Sequence, residues 1–197
     1  MNRLKIVFAV AAATLFSLSS IAPVAAARIF NPDTALWEEA SVALTRNKRG
    51  SPIKREVVSY ETKLKPGSII VETSERRLYF VLPEGKAVRY GIGVGRDGFR
   101  WSGQHRITRT AEWPGWTPPP AMRKRVPDLP AYMPGGPDNP LGARALYIGS
   151  TLYRIHGTSE PWTIGQAVSS GCIRLTNEDV TDLYERVKVG ATVVVRP

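Results

Sequence analysis

The chain has 197 residues, 43% hydrophobic and 22% charged, with 17 glycines, 16 prolines, one cysteine, two histidines and a formal net charge of +10. Composition and length are those of a globular chain of one domain, with or without a tail, rather than of a disordered or fibrous one. One cysteine excludes an internal disulfide and a cysteine-rich zinc site, and the excess of Lys and Arg calls for an anionic partner: nucleic acid, a membrane surface or an acidic polymer.

Residues 1–27 read as a secretory signal peptide. Arg3 and Lys5 precede the apolar run Ile6 to Phe16, and Ala25-Ala26-Ala27 follows Pro23 as a small-residue cleavage signal. The run is shorter than the roughly 20 residues of a spanning helix, and Ser17, Ser19 and Ser20 interrupt its continuation, so no stable membrane anchor is expected. Export to the cell envelope, the periplasm, leaves no nucleic acid to bind and makes an anionic wall polymer the expected partner. An unpaired thiol in such an oxidising compartment is either buried and inert or kept for its reactivity, and Cys172 is that thiol.

Residues 28–65 read as an N-terminal tail or linker, with Pro32, Pro52 and the basic run Arg46-Asn47-Lys48-Arg49. Within it, Leu36, Trp37, Ala40, Ala43 and Leu44 give a loose apolar face that predicts a short helix over 34–45. From about residue 56 the texture changes: strands are predicted over 68–72 and 77–82, and Pro83-Glu84-Gly85 turns the chain into a third over 86–90. Another strand is predicted over 104–110, with His105 as a surface residue on it. Prolines and tryptophans crowd residues 112–139 and preclude a central strand or a long helix, which predicts a long ordered loop, either a lid or a packed surface loop. Strands over 145–148 and 151–156 follow, joined by Gly149-Ser150. Thr176 then caps a helix whose Val180, Leu183, Tyr184 and Val187 recur at i, i+3, i+4 and i+7, ending near Gly190 before a strand over 192–195. The fold class is mainly β: a β-sandwich-like mixed-sheet domain over 66–196, with one helix after Cys172 and a long Trp/Pro-rich loop.

The chemistry concentrates in two short segments. His156 closes a strand, and Cys172 follows in Ser169-Ser170-Gly171-Cys172-Ile173-Arg174-Leu175. A thiol becomes a nucleophile near neutral pH when a base stands beside it, and a histidine supplies both proton acceptor and ion-pair partner. Gly171 lets the backbone approach a reacting carbonyl, and the N–H groups of Ser170, Gly171 and Cys172 offer an oxyanion hole. Arg174 suits either a substrate carboxylate or a structural ion pair with a nearby acid. Tyr132 suits either the wall of a donor site or a packed loop aromatic. On spacing alone, a buried structural Cys with an unrelated His fits as well as a catalytic pair.

The stretch from Tyr153-Arg154-Ile155-His156-Gly157-Thr158 through Ser169 to Leu175 resembles the active-site signature of the YkuD family, the L,D-transpeptidases of bacterial peptidoglycan. The resemblance extends over about residues 66–196. It implies that Cys172 attacks the carbonyl between the third and fourth residues of a stem peptide, expelling D-alanine and forming a thioester. It implies that His156 is general base and acid, oriented by the backbone carbonyl of Gly157, and that Ser169 is the motif Ser/Thr. Ser170 stands where many members carry a second histidine, and Arg174 where some carry asparagine. No metal or organic cofactor is expected. The partners implied are peptidoglycan stem peptides. The acceptor fits three alternatives: an amine of a neighbouring stem, a lysine of an outer-membrane lipoprotein, or water, which would make the chain an L,D-carboxypeptidase. A non-catalytic cell-wall-binding module is the alternative from another class, against which the presence of both His156 and Cys172 argues.

Overall fold

Runs of Ile, Val, Tyr and Phe make the strands, and alternation along each run decides which side chains face the core. The structure is a computed structural model that describes residues 28–31, 36–39 and 50–197, so the expected signal peptide over 1–27 lies outside the described residues. The elements in chain order are β1 (Arg28–Asn31), β2 (Leu36–Glu39), β3 (Glu56–Ser59), β4 (Ile69–Glu72), β5 (Arg77–Val81), β6 (Lys86–Gly91), β7 (Val94–Gly95), β8 (Gly103–Glu112), α1 (Pro120–Arg125), β9 (Arg144–Ile148), β10 (Arg154–His156), β11 (Ala167–Ser169), β12 (Ile173–Arg174), α2 (Asn177–Arg186) and β13 (Thr192–Arg196). Nine of the strands form one mixed sheet in the order β12-β10-β9-β8-β13-β4-β5-β6-β3. Most neighbours are antiparallel; β13 runs parallel to β4, and β12 parallel to β10.

One face of this sheet curls over a single apolar cluster, in the manner of a sandwich. Leu78, Phe80, Val88 and Tyr90 from one half meet Ile107, Leu146, Ile148 and Ile155 from the other, and Val180, Leu183 and Val187 of the α2 region pack into the same cluster. The helix begins where its sequence predicts. Thr176 Oγ1 accepts the Asp179 N–H at 3.0 Å and satisfies one of the open donors of the first turn. It ends at Arg186, short of Gly190.

The segment ahead of residue 66 differs from the expected helix. Leu36–Glu39 is a strand paired antiparallel with β1. Phe30 lies edge-on to Trp37 with ring centroids 5.5 Å apart and stacks on Trp116 at 6.1 Å, and this packing outweighs a stripe half made of alanine. β3 extends the main sheet beside β6. The Trp/Pro-rich loop has a core of its own, in which Phe30, Trp116, Met122, Leu129 and Leu141 are buried together. Its one short helix, α1, begins at Pro120, at a position whose N–H would go unused in any case. Asn139 ties the loop end, its amide donating to the carbonyls of Met133 and Pro134 and its oxygen accepting the Leu141 N–H.

Candidate active site

Two short strands bring the signature residues together. β12 pairs in parallel with β10 in the register Ile155 to Ile173 and His156 to Arg174. Ile155 and Ile173 point into the core cluster, so alternation puts His156 and Arg174, and with them Arg154 and Cys172, on the opposite face. Cys172 therefore stands diagonal to His156 and beside Arg154.

The imidazole is buried, and its Nδ1 lies 2.6 Å from the Gly157 carbonyl oxygen. A carbonyl can only accept, so Nδ1 carries the proton and Nε2 keeps its lone pair. Burial and then the positive charge of Arg174 hold the His156 pKa down, to about 3, against the raising effect of the Gly157 and Leu141 carbonyls. The Cys172 thiol is pushed up by burial, opposed by the charge and backbone N–H of Arg154 and by the charge of Arg174. Burial thus disfavours the charged form of both side chains.

The loop before Cys172 is held by its own side chains. Ser169 is buried, and its hydroxyl donates to the Cys172 carbonyl at 2.6 Å and accepts the Gly171 N–H at 3.2 Å. The Gly171 N–H is therefore engaged within the loop, whereas the Cys172 N–H has no hydrogen-bond acceptor among the described residues. Gly171 sits at φ 106°, and a Cβ there would run into the Tyr153 ring. Behind it, Trp101 stacks on Tyr153 at 4.5 Å and donates its Nε1–H to the Gly171 carbonyl at 2.7 Å. Ser170 is exposed beside Cys172. Gly157 is buried where a Cβ would meet the Asn177 side-chain oxygen and the Ala143 backbone nitrogen, which ties the strand end of His156 to the first residue of α2.

Arg174 takes the ion-pair alternative. It is 2% exposed, with Nη1 3.5 Å from a Glu160 carboxylate oxygen and Nη2 donating to Thr163 Oγ1 at 2.8 Å. Tyr132 is 58% exposed, its hydroxyl lying against Gly115, and no contact joins it to Cys172 or His156. A cleft of about 460 Å³ opens between Ser51 to Arg55 and the start of α2 and is walled by Thr158, without reaching the thiol. Sequence reasoning assigned no role to Arg154 or Glu160. Arg154 lies within the motif, but only the β10–β12 register shows it beside Cys172.

Comparison with known proteins agrees with this geometry. The model of the YkuD L,D-transpeptidase catalytic domain matches residues 66–195. The chain is 41% identical over 162 residues to the probable L,D-transpeptidase ErfK/SrfK of Escherichia coli, a match covering 78% of this chain and 51% of that protein. It spans about half the length of the curated relatives it matches. A crystal structure from Brucella melitensis, described as a probable carnitine operon oxidoreductase, is 42% identical with a TM-score of 0.51, covering 77% of this chain and 98% of that one. A variant of the Enterococcus faecium L,D-transpeptidase shares the fold at 16% identity and a TM-score of 0.51, over 68% of this chain and 50% of that one. With the Cys172 and His156 segments inside the matched residues, the chain belongs to the YkuD family of L,D-transpeptidase catalytic domains.

Proposed function

We propose that this chain is a peptidoglycan L,D-transpeptidase, exported to the periplasm behind a cleaved signal peptide, with Cys172 as nucleophile and His156 as general base and acid. The observation that carries the reading is the placement of Cys172 and His156 on one sheet face, with Nδ1 fixed on the Gly157 carbonyl and Nε2 left to accept a proton. The formal charge, +10 for the full sequence and +8 once Arg3 and Lys5 leave with the signal peptide, supports an anionic wall polymer as partner.

The reaction follows from these groups. As Sγ attacks the carbonyl between the third and fourth stem residues, Nε2 takes the thiol proton, so the ion pair forms only as the S–C bond does. The free Cys172 N–H is positioned to receive the oxyanion, with Ser170 at the open side of the loop. Collapse breaks the C–N bond, the imidazolium returns its proton to the departing amine of D-alanine, and a thioester remains. An acceptor amine attacks the thioester, gives its proton to Nε2, and the thiol is regenerated when that proton passes to sulfur. Ser169 and Gly171 hold the loop, and Arg174 acts on both reacting groups through its charge without touching substrate.

The test is incubation of the full chain with a tetrapeptide-stem muropeptide and mass spectrometry of the products. Release of D-alanine by the native protein and none by Cys172→Ala is expected; release by neither sinks the enzyme reading in favour of a wall-binding module. The second product identifies the acceptor. A crosslinked dimer means a stem amine, a lipoprotein adduct formed when that protein is added means anchoring, and a tripeptide stem means water.

A further inference from the structure

The register of four strands lines up side chains in rows across the catalytic face. Arg109 of β8 is opposite Tyr147 of β9, Tyr147 is opposite Arg154 of β10, and continuing the β10–β12 register sets Arg154 opposite Cys172. The next row is Ala111, Ala145, His156 and Arg174, of which the last three are buried. The Arg109 guanidinium lies 3.6 Å from the centroid of the Tyr147 ring and that of Arg154 5.4 Å from it, one phenol holding two cations. Elsewhere in the sheet, arginines meet acids: Arg144 meets Glu112, Arg174 meets Glu160 and Arg196 meets Glu72. Among the described residues no acid pairs with Arg109 or Arg154, and Arg154 Nε is buried with no hydrogen-bond partner. Two like charges gathered on one ring beside Cys172, with no acid among the described residues paired to either, suit an anion that arrives from outside.

We propose that Arg154, assisted by Arg109 across Tyr147, forms the donor-carboxylate subsite, which binds the free carboxylate of the stem residue that the reaction expels. This rests on Cys172 being the acylated residue. In a tetrapeptide stem, only the amide nitrogen and one Cα separate the attacked carbonyl carbon from the terminal carboxylate carbon, a span of about 3–4 Å from standard bond lengths. With the carbonyl at Sγ, the carboxylate falls beside the neighbouring side chain in the row, and a guanidinium offers it a planar two-donor fork. Arg174 is not that partner, because its guanidinium is buried on Glu160 and Thr163. A stem with a fifth residue presents an amide in place of the carboxylate, so the subsite selects tetrapeptide donors.

Cys172 is the sole cysteine of the chain, which allows a direct measurement. Iodoacetate and iodoacetamide alkylate a thiol by the same displacement: an S–C bond forms, iodide leaves and the thiol proton passes to solvent. They differ in whether a carboxylate or a neutral amide accompanies the reacting carbon. The ratio of their rates divides out the reactivity of the thiol itself, including any change a substitution causes in its pKa. In the native protein the ratio is expected to favour iodoacetate relative to a free thiol. Arg154→Gln should lower it on the order of tenfold, the loss of one charge-assisted contact. Arg154→Lys should retain part of it as a point charge. An unchanged ratio in folded Arg154→Gln overturns the subsite, and an unchanged ratio in Arg109→Gln, at an exposed position, removes Arg109 from it. The alkylation ratio requires no turnover, so it stands or falls separately from the D-alanine assay. A second readout compares tetrapeptide donors ending in a carboxylate or an amide: the native KM should be lower for the carboxylate, and Arg154→Gln should bring the two together.

Discussion

At the residue scale, the proposed nucleophile, Cys172, is set by its burial and by the neutral imidazole that shares its sheet face. With the thiol pushed up by burial and His156 held neutral, the rate of Cys172 alkylation by iodoacetamide should have its midpoint above the ~8.5 of a free thiol. A midpoint near or below ~7 would reveal a resting thiolate and contradict this. Gly171 has a sharper requirement. Its φ of 106° and the Tyr153 ring behind it leave no room for a side chain. Gly171→Ala should cost about 1–3 kcal/mol of stability or shift the Cys172 backbone, with a large fall in D-alanine release. Release at the native rate would show that the loop tolerates a Cβ and does not hold Cys172 by its backbone.

At the scale of elements, α2 ties the catalytic strands to the core, and its start is the part most easily removed. Thr176→Ala should destabilise the protein by about 1 kcal/mol in urea unfolding, while Thr176→Ser should restore most of it. Equal losses in both would assign the effect to the methyl group rather than to the cap. This element was legible because its information is local: a hydroxyl three residues before an open N–H, and an apolar stripe of helical period. The β5–β6 hairpin was legible for the same reason, from Pro83-Glu84-Gly85. β12 is two residues long, and no periodicity can be read from two residues. Its parallel pairing with β10 is a long-range choice that local pattern does not encode. The motif singled out Cys172 and His156 as the candidate pair, and the register puts them on one sheet face. The motif left Arg154 without a role and Arg174 with two, because only the register shows which side chains share a face and which acid is near. Of the expected helix over 34–45 only 36–39 lies among the described residues, and there a strand forms, with the aromatics Phe30 and Trp116 packed together at its side.

At the scale of the whole molecule, the neutral imidazole links stability to pH. His156 titrates at about 3 when folded against 6.5 in an unfolded chain, so below pH 6.5 the unfolded state binds a proton that the native state does not. Stability contributed by this group is complete above pH 6.5 and is lost as the pH falls toward 3. Between pH 7 and 5 the loss should be about 2 kcal/mol in denaturant unfolding, and His156→Gln should abolish that part of the pH dependence. Asp179, whose carboxyl is raised by burial, acts in the opposite sense at lower pH, and both chains retain it, so the difference between them isolates the histidine. The position of β13 has another consequence, in the order of assembly. The last strand in the sequence sits near the middle of the nine, between β4 and β8, and it alone joins β12-β10-β9-β8 to β4-β5-β6-β3. Until it inserts, the chain has two half-sheets, each with a bare edge, and the shared core is open along the seam. Closing a parallel pair between β4 and β13 brings together distant parts of the chain, the kind of contact that makes folding slow.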